Sequence, residues 1–161
     1  MLHRAVHLGS LGFVVLAAFV GCTATDVGGD ASADAGAGDY ADLVRAANAA
    51  DQLPAGAPTD VDGAPLDLDS VRLAAEFDGQ LVFLATGDVD GAASVCMVVT
   101  DASGSDANGS CEIEGGSVQH AGQTYFLIPN GAGPERLPQD IAVQQLSDNV
   151  YVSPGASPTT S

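Results

Sequence analysis

The chain has 161 residues, with 21 acidic residues against four arginines and no lysine, and its formal net charge is −17. A surface this acidic repels nucleic-acid phosphates and anionic lipid headgroups, so we expect no binding to DNA, RNA or a bare lipid surface; a divalent cation or a basic protein would be attracted. The absence of lysine excludes a P-loop, a Schiff base and a Ser-Lys dyad.

This acidity also has compositional explanations. The acids comprise 17 aspartates and 4 glutamates, alongside many alanines and glycines. A GC-rich coding bias or adaptation to high salt would produce the same excess, so charge alone does not define a ligand.

The first 21 residues have the pattern of an export signal. A short basic segment, Met1–His7, precedes an uncharged apolar run over Leu8–Val20. This run is too short to span a hydrocarbon core of about 30 Å as a helix, and it matches the apolar region of a signal peptide. We therefore predict that residues 1–21 are removed on export.

The end of the apolar run reads Phe19-Val20-Gly21-Cys22. This segment resembles the bacterial lipobox, in which small residues precede a cysteine that receives diacylglycerol before cleavage; Phe19 stands where leucine is usual. The resemblance implies lipidation at Cys22, with enough acyl chains for stable anchoring on the extracytoplasmic side of the cell membrane. The alternative is an ordinary secretory signal with an incidental Cys22, but no clean small-x-small cleavage site accompanies it.

Residues 22–38 are predicted to begin with the lipidated cysteine and to continue as a flexible, low-complexity tether. Asp39 is then predicted to cap a helix that ends before Pro54. An apolar stripe on this helix is expected to pack on its own domain, and consists of Tyr40, Leu43, Val44 and Ala47.

After the helix the hydrophobic period changes to two, which predicts strands. Val71–Phe77 alternates and is joined to Gln80–Thr86 by a two-residue turn at Asp78-Gly79. The predicted register pairs Ala75 with Val82 and Leu73 with Leu84. Ser94–Thr100 is apolar on both sides and is predicted to be a central strand.

Further strands are predicted around a polar loop at 103–109, and cover 118–120, 123–128, 141–146 and 150–152. The total of about seven short strands predicts a mainly β fold, an antiparallel sandwich or partly open barrel with one N-terminal helix. The domain is expected to cover residues 39–152, followed by a disordered tail over 153–161.

The cysteines agree with export. If Cys22 carries lipid, Cys96 and Cys111 remain as an even pair in an oxidising compartment, which predicts a disulfide. Closing a loop of about 15 residues is expected to stabilise the fold by about 3 kcal/mol. A redox-active pair is the alternative, but there is no Cys-x-x-Cys motif.

Catalytic motifs are absent from the sequence. His120, beside a predicted turn at Ala121-Gly122, is the only histidine after the signal peptide, and we expect it to be solvated. One histidine and two bonded cysteines cannot supply a standard zinc site, and the chain has no Gly-x-Ser-x-Gly elbow. We therefore expect no enzymatic activity and no cofactor.

One weak signal points to calcium. Asp60-Val61-Asp62-Gly63 resembles part of a calcium-binding loop, with Asp67 and Asp69 as further carboxylates. Aligned on that loop, the first position is Pro58, and the bidentate glutamate is replaced by Asp69. Asp-Gly turns are the alternative explanation, here and at the related segment 88–92.

Several short motifs occur in a fixed order along the chain: Leu53-Pro54, Ser70-Val71-Arg72-Leu73, Asp78-Gly79, Val95-Cys96-Met97-Val98-Val99 and Cys111. This order of motifs resembles that of small secreted proteins of actinobacteria, a family without an assigned function. The resemblance implies export and a β domain with paired cysteines, and brings no catalytic residue.

Our leading hypothesis is a non-catalytic lipoprotein module that contacts an envelope or secreted protein. The alternatives are a low-affinity calcium-responsive module and, third, a small hydrolase.

Overall fold

The structure is a computed structural model that describes residues 36–155. Cys22, the predicted signal peptide, most of the predicted tether and residues 156–161 lie outside this range. The described elements are a 3-10 turn (Ala37–Asp39), α1 (Ala41–Val44), β1 (Asp60–Val61), β2 (Ala64–Pro65), β3 (Arg72–Phe77), β4 (Gln80–Val89), β5 (Ala92–Thr100), β6 (Ala107–Glu112), β7 (Gly116–His120), β8 (Gln123–Leu127), a second 3-10 turn (Pro134–Arg136), β9 (Gln144–Gln145) and β10 (Val150–Ser153).

The strands form two four-stranded antiparallel sheets and one small hairpin. Sheet 1 has the order β3-β4-β5-β6, sheet 2 has the order β7-β8-β10-β9, and β1 pairs with β2. The mainly β antiparallel prediction is confirmed as a sandwich, since the sheets do not close into a barrel. Within residues 36–155 no helix is long and apolar enough to cross a membrane.

The main core lies between the two sheets because alternate residues of each strand point inward. Sheet 1 and sheet 2 both contribute, with Tyr40 and Leu43 added from the N-terminal segment. The core residues from the strands are Val82, Leu84, Val95, Met97, Val99, Val118, Tyr125, Leu127, Val150 and Val152.

A second apolar cluster covers the other side of sheet 1. It holds Phe83, Cys96 and Val98 from β4 and β5, with Val61 and Leu66 from the β1–β2 region packed over them. Both faces of β5 are therefore buried, as its continuous apolar sequence predicts.

Two-residue turns set the register of four hairpins. In each turn both residues have positive φ, as the tight hairpin geometry requires. The turns are Asp62-Gly63, Asp78-Gly79, Asp90-Gly91 and Ala121-Gly122. The predicted turns at Asp78-Gly79 and Ala121-Gly122 are thus confirmed, and so is the pairing of Ala75 with Val82.

The predicted pairing of Leu73 with Leu84 is wrong, because β3 has a bulge. Leu73 lies opposite Phe83, and the register shifts between Leu73 and Ala75. Because of the bulge, Leu73 packs against the second apolar cluster while Ala75 packs against the main core. Strand β3 therefore contributes side chains to both.

The predicted helix is much shorter than expected, and Asp39 is not its cap. The helix covers only Ala41–Val44, with Tyr40 at the N-cap position. The backbone N–H of Ala41 donates instead to Asn130 Oδ1 at 3.0 Å. The backbone of Arg45 is extended and ends the helix. Val44, which was predicted to pack on the domain, is 62% exposed.

Three strands were not predicted, and one is shorter than predicted. β1, β2 and β6 are the unpredicted strands, and β6 replaces the end of the predicted polar loop at 103–109. The predicted strand over 141–146 pairs with β10 only through Gln144 and Gln145. At the C-terminal end, β10 includes Ser153, one residue beyond the predicted domain.

Candidate functional site

The disulfide is confirmed, and it joins the inner strand β5 of sheet 1 to the edge strand β6. Cys96 and Cys111 are directly opposite each other on β5 and β6, and they form the disulfide across 15 positions of sequence. Cys96 Sγ sits against Gly87, where an added Cβ would lie only 2.7 Å from the sulfur. With Cys96 fully buried under the β1–β2 region, the bond is structural.

The four carboxylates predicted for calcium lie in turns and loops. Asp60 and Asp62 are exposed at the β1–β2 hairpin, and Asp67 Oδ1 accepts the backbone N–H of Asp69 at 3.1 Å. No group of three or more His, Cys, Asp or Glu side chains in residues 36–155 is placed to hold a metal ion. Calcium binding at Asp60, Asp62, Asp67 and Asp69 stays a prediction, and a melting temperature unchanged by millimolar calcium would contradict it.

His120 is buried, contrary to the expectation of a solvated side chain. It is 7% exposed, and its Nε2 lies 2.9 Å from Gln80 Oε1 on the other sheet. Nearby, Gln123 Nε2 donates to Asp78 Oδ2 at 3.1 Å. These contacts join the β3–β4 turn to the β7–β8 hairpin, so His120 has a bridging role between the sheets.

An ion pair between Arg45 and the buried Asp51 lies along the outer edge of β3. Asp51 accepts two hydrogen bonds from the Arg45 guanidinium and one from the backbone N–H of Leu73 at 2.8 Å, and Arg45 Nη2 donates to the Leu73 carbonyl at 3.0 Å. These side chains bond the strand backbone as a neighbouring strand would. The hydrogen bonds from Arg45 keep the pKa of Asp51 well below its usual range.

A second polar network holds the N-terminal segment to sheet 2. Asn149, fully buried, accepts the backbone N–H of Asp42 at 3.0 Å and donates to the Ile128 carbonyl at 2.9 Å. The Asp42 carboxylate accepts the hydroxyl of Ser147 at 2.6 Å. The polar groups of both networks form their hydrogen bonds within the protein. The networks therefore stabilise the fold and leave few polar groups free to bind a ligand.

The outward side of sheet 2 differs from the rest of this acidic chain. Phe126 and Tyr151 are paired across β8 and β10, and both are half-exposed. Their strand and cross-strand neighbours on this side carry no charge. We define the outer face by these seven residues: Ser117, Gln119, Thr124, Phe126, Gln145, Tyr151 and Ser153.

A groove opens at one end of the outer face. Its volume is about 440 Å³, and it is lined by Ser117 and Phe126 from the sheet and by Leu137 and Pro138 from the segment that follows β8. Leu137 is only 3% exposed, so this segment is firmly packed. The half-exposed Phe126 ring therefore borders this groove, together with the apolar residues Leu137 and Pro138.

A second cavity of about 500 Å³ adjoins this groove, because Glu114 and Arg136 line both. We call the two together the acidic cleft, defined by the charged residues Asp39, Glu112, Glu114, Glu135 and Arg136. Arg136 is exposed, and among residues 36–155 the only ion pair joins Arg45 to Asp51. The cleft thus has four carboxylates and one unpaired guanidinium.

Sequence reasoning did not find the outer face or the acidic cleft. Both draw on segments far apart in the chain, and only the strand order brings them together. A partial signal was present, since uncharged Ser117, Gln119 and Thr124 alternate with apolar residues in a chain rich in aspartate.

Comparison of the chain with protein-family models, with curated proteins and with solved structures finds no match.

Proposed function

We propose that this chain is a lipoprotein, acylated at Cys22 and held on the extracytoplasmic side of the cell membrane, whose β domain binds another envelope or secreted protein without catalysing a reaction. The export signal and the lipobox-like segment support the anchor. The Cys96–Cys111 disulfide supports an oxidising compartment, where such bonds persist.

The outer face is the observation that carries the binding role. The centres of protein interfaces are enriched in aromatic residues and depleted of Asp, Glu and Lys. The seven outer-face residues contain a Phe–Tyr pair and no Asp, Glu or Lys; hydroxyl and amide side chains surround the pair, in a chain with 21 acids. Sheet 1 offers no equivalent surface because both of its faces are buried.

The internal contacts of several polar side chains support the non-catalytic part of this proposal. His120 is committed to Gln80, and Asp51 and Asp42 are committed to internal networks. The Asp101 carboxylate accepts the Ser103 hydroxyl at 2.8 Å. No histidine activates this serine, because His120, the one histidine within residues 36–155, is bonded to Gln80, and the chain has no lysine.

The anchor is tested by labelling cells with radioactive palmitate. Wild-type protein should incorporate the label and fractionate with membranes, whereas Cys22→Ser should lose both properties. Phe19→Leu, which restores the usual lipobox residue, is the control and should be labelled at least as well. Label retained by Cys22→Ser, or absent from the wild type, would contradict lipidation at this residue.

The binding face is tested by adding charge at positions that do not affect folding. Ser117 and Gln119 are exposed on β7, so Ser117→Glu with Gln119→Glu should leave stability unchanged and weaken partner binding by about tenfold or more. Ala93→Glu with Ala102→Glu adds the same charge at exposed positions off this face. Equal binding by both double variants would show that the outer face is not the interface.

A further inference from the structure

We propose that Asn130 is a site of spontaneous deamidation, with Gly131 supplying the attacking nitrogen, and that the fold protects the same dipeptide at Asn108-Gly109. Asparagine followed by glycine is the dipeptide in which this reaction is fastest, because glycine has no side chain to obstruct the ring that forms. The chain contains this dipeptide twice. The proposal concerns a covalent modification, so it does not depend on the proposed protein-binding role.

The reaction needs water and base but no enzyme or cofactor. Solvent base removes the proton of the Gly131 N–H, and this nitrogen forms a bond to Cγ of Asn130. The Cγ–Nδ2 bond then breaks, and Nδ2 takes up a proton from water and leaves as ammonia. Water opens the resulting succinimide ring at either carbonyl carbon, which gives aspartate or isoaspartate at this position. In total, water is consumed and ammonia is released, with no oxidation or reduction.

The turn around Asn130 leaves the attacking nitrogen free. The Pro129 carbonyl accepts the Ala132 N–H at 3.1 Å, which closes a β-turn. Its two central residues, Asn130 and Gly131, are exposed, and the space around the Cβ position of Gly131 is open. Among residues 36–155, the Gly131 N–H and the Asn130 Nδ2 group donate no hydrogen bond. Nothing in this range therefore holds the nucleophile or the leaving amine.

Two N–H donors are directed at the oxygen that gains negative charge in this attack. Asn130 Oδ1 accepts the backbone N–H of Ala41 at 3.0 Å and the Nδ2–H of Asn149 at 3.0 Å. Asn149 is fully buried and α1 begins at Ala41, so the fold holds both donors in place. As the Gly131 nitrogen adds to Cγ, charge moves onto Oδ1, and these donors stabilise it as an oxyanion hole does.

Asn108 is exposed as well, but its contacts oppose the reaction. Its Nδ2 donates to the Gln119 carbonyl at 2.8 Å, which holds the amine that would have to leave. The Gly109 N–H donates to Asn108 Oδ1 at 3.0 Å, so the nucleophile is occupied. Gly109 also lies within β6, and its Cβ position is only 2.9 Å from Val61 Cγ2. The packed strand therefore has no room to bend into the ring.

Deamidation at Asn130 changes how the N-terminal segment is attached. The Asn130 backbone N–H donates to the Asp39 carbonyl at 2.7 Å, so its backbone and its side chain both hold the residues that enter α1. An aspartate here keeps both side-chain acceptor bonds, whereas isoaspartate lengthens the backbone by a methylene and shortens the side chain. We therefore expect faster hydrogen exchange at the Ala41 N–H in the isoaspartate form than in Asn130→Asp.

The test follows both dipeptides in one sample of the purified full-length protein in detergent micelles, incubated at physiological temperature and mildly alkaline pH. After reduction of the disulfide, a Glu-specific protease separates the two dipeptides onto the peptides 77–112 and 115–135. Mass spectrometry measures the conversion of amide to acid, and chromatography separates aspartate from isoaspartate. The same protein, reduced and unfolded in urea, gives the intrinsic rate of each dipeptide.

In the folded protein Asn130 should deamidate at least about tenfold faster than Asn108, whereas in urea the two rates should agree within about threefold. The rate at Asn130 should rise in proportion to hydroxide concentration. Ala41→Pro removes one donor to Oδ1, and proline fits this first helical position because Tyr40 before it is extended. This variant should react several-fold more slowly at Asn130. Ala41→Gly, which keeps the N–H, is the control and should react like the wild type.

Equal rates at Asn108 and Asn130 in the folded protein would overturn the proposal, and so would an unreactive Asn130 in a fold whose urea-unfolded chain reacts. A faster reaction in Ala41→Pro would also contradict it, because the donors would then restrain the amide instead of activating it. Equal hydrogen exchange at Ala41 in the isoaspartate form and in Asn130→Asp would refute the stated effect on α1.

Discussion

Replacing Asp51 with alanine is expected to destabilise the fold by about 3 kcal/mol. The Asp51 side chain is 4% exposed and that of Arg45 is 32% exposed. Besides Arg45, the carboxylate accepts the backbone N–H groups of Asn48 at 2.6 Å and Leu73 at 2.8 Å. Breaking a buried pair costs about 3–5 kcal/mol, and we take the low end because water can reach Arg45.

Urea denaturation followed by far-ultraviolet circular dichroism measures this loss. With a urea slope of about 1.5–2 kcal/mol per molar, 3 kcal/mol moves the midpoint down by about 1.5–2 M. Asp69→Ala, at an exposed loop position, is the control and should stay within about 0.5 kcal/mol of the wild type. A loss below about 1 kcal/mol for Asp51→Ala would refute the view that this pair holds the edge of β3.

The pH dependence gives an independent check with a definite sign. The pKa of Asp51 is lowered in the folded state by its hydrogen bonds from Arg45, Asn48 and Leu73. An unfolded aspartate has a pKa of about 3.9, so as pH falls the unfolded state takes up the proton first. The difference in stability between wild type and Asp51→Ala should be full above about pH 5 and shrink below about pH 4. A difference that grew on acidification would contradict this assignment.

Three further predictions concern buried contacts. Cys96→Ala with Cys111→Ala should lower the free energy of unfolding by about 3 kcal/mol, because the disulfide spans 15 positions; a loss below about 1 kcal/mol in urea would contradict it. Gly87→Ala should cost about 1–3 kcal/mol, because its Cβ would lie 2.7 Å from Cys96 Sγ. That cost should largely vanish in the cysteine-free background, and a double-mutant cycle showing no coupling would argue against the contact. Asn149→Ala should cost about 2–4 kcal/mol, because the Ile128 carbonyl and the Asp42 N–H lose their partner; an unchanged thermal melt would be the contrary result.

The strands with regular alternation were predictable from sequence because tight turns fix their register. Asp78-Gly79 brings Phe77 opposite Gln80, and Ala75 then meets Val82 as predicted. The bulge beyond it was not predictable. Ala74 and Ala75 are both small and apolar, and both pack against the main core, so the sequence pattern does not reveal where the extra residue is inserted.

β6 was missed because its own sequence disfavours a strand. Ala107–Glu112 contains Asn108, Gly109 and Ser110, which have low strand propensity. Tertiary context decides instead, since β5 supplies the partner and Cys96 lies opposite Cys111. The predicted disulfide was a signal for this strand, because the partner of a cysteine on an inner strand can lie directly opposite it on the neighbouring strand.

The helix and the candidate surfaces depend on contacts distant in sequence. Asn130 binds the first turn of α1 and Asn149 binds Asp42, so the length of α1 is set by residues about 90 and 107 positions away. In the same way the outer face needs β8 beside β10, and alternation within one strand does not determine strand order.

The most direct test of the central claim is site-specific photo-crosslinking in intact cells of the native host, with benzoylphenylalanine placed at Gln119 on the outer face or at Ala93 as the off-face control. Both positions are exposed on strands. The account predicts one protein, identified by mass spectrometry, that is captured from Gln119, is not captured from Ala93, and is lost when Ser117→Glu is added. Capture of the same proteins from both positions, or no capture from Gln119, would contradict a protein-binding role for the outer face.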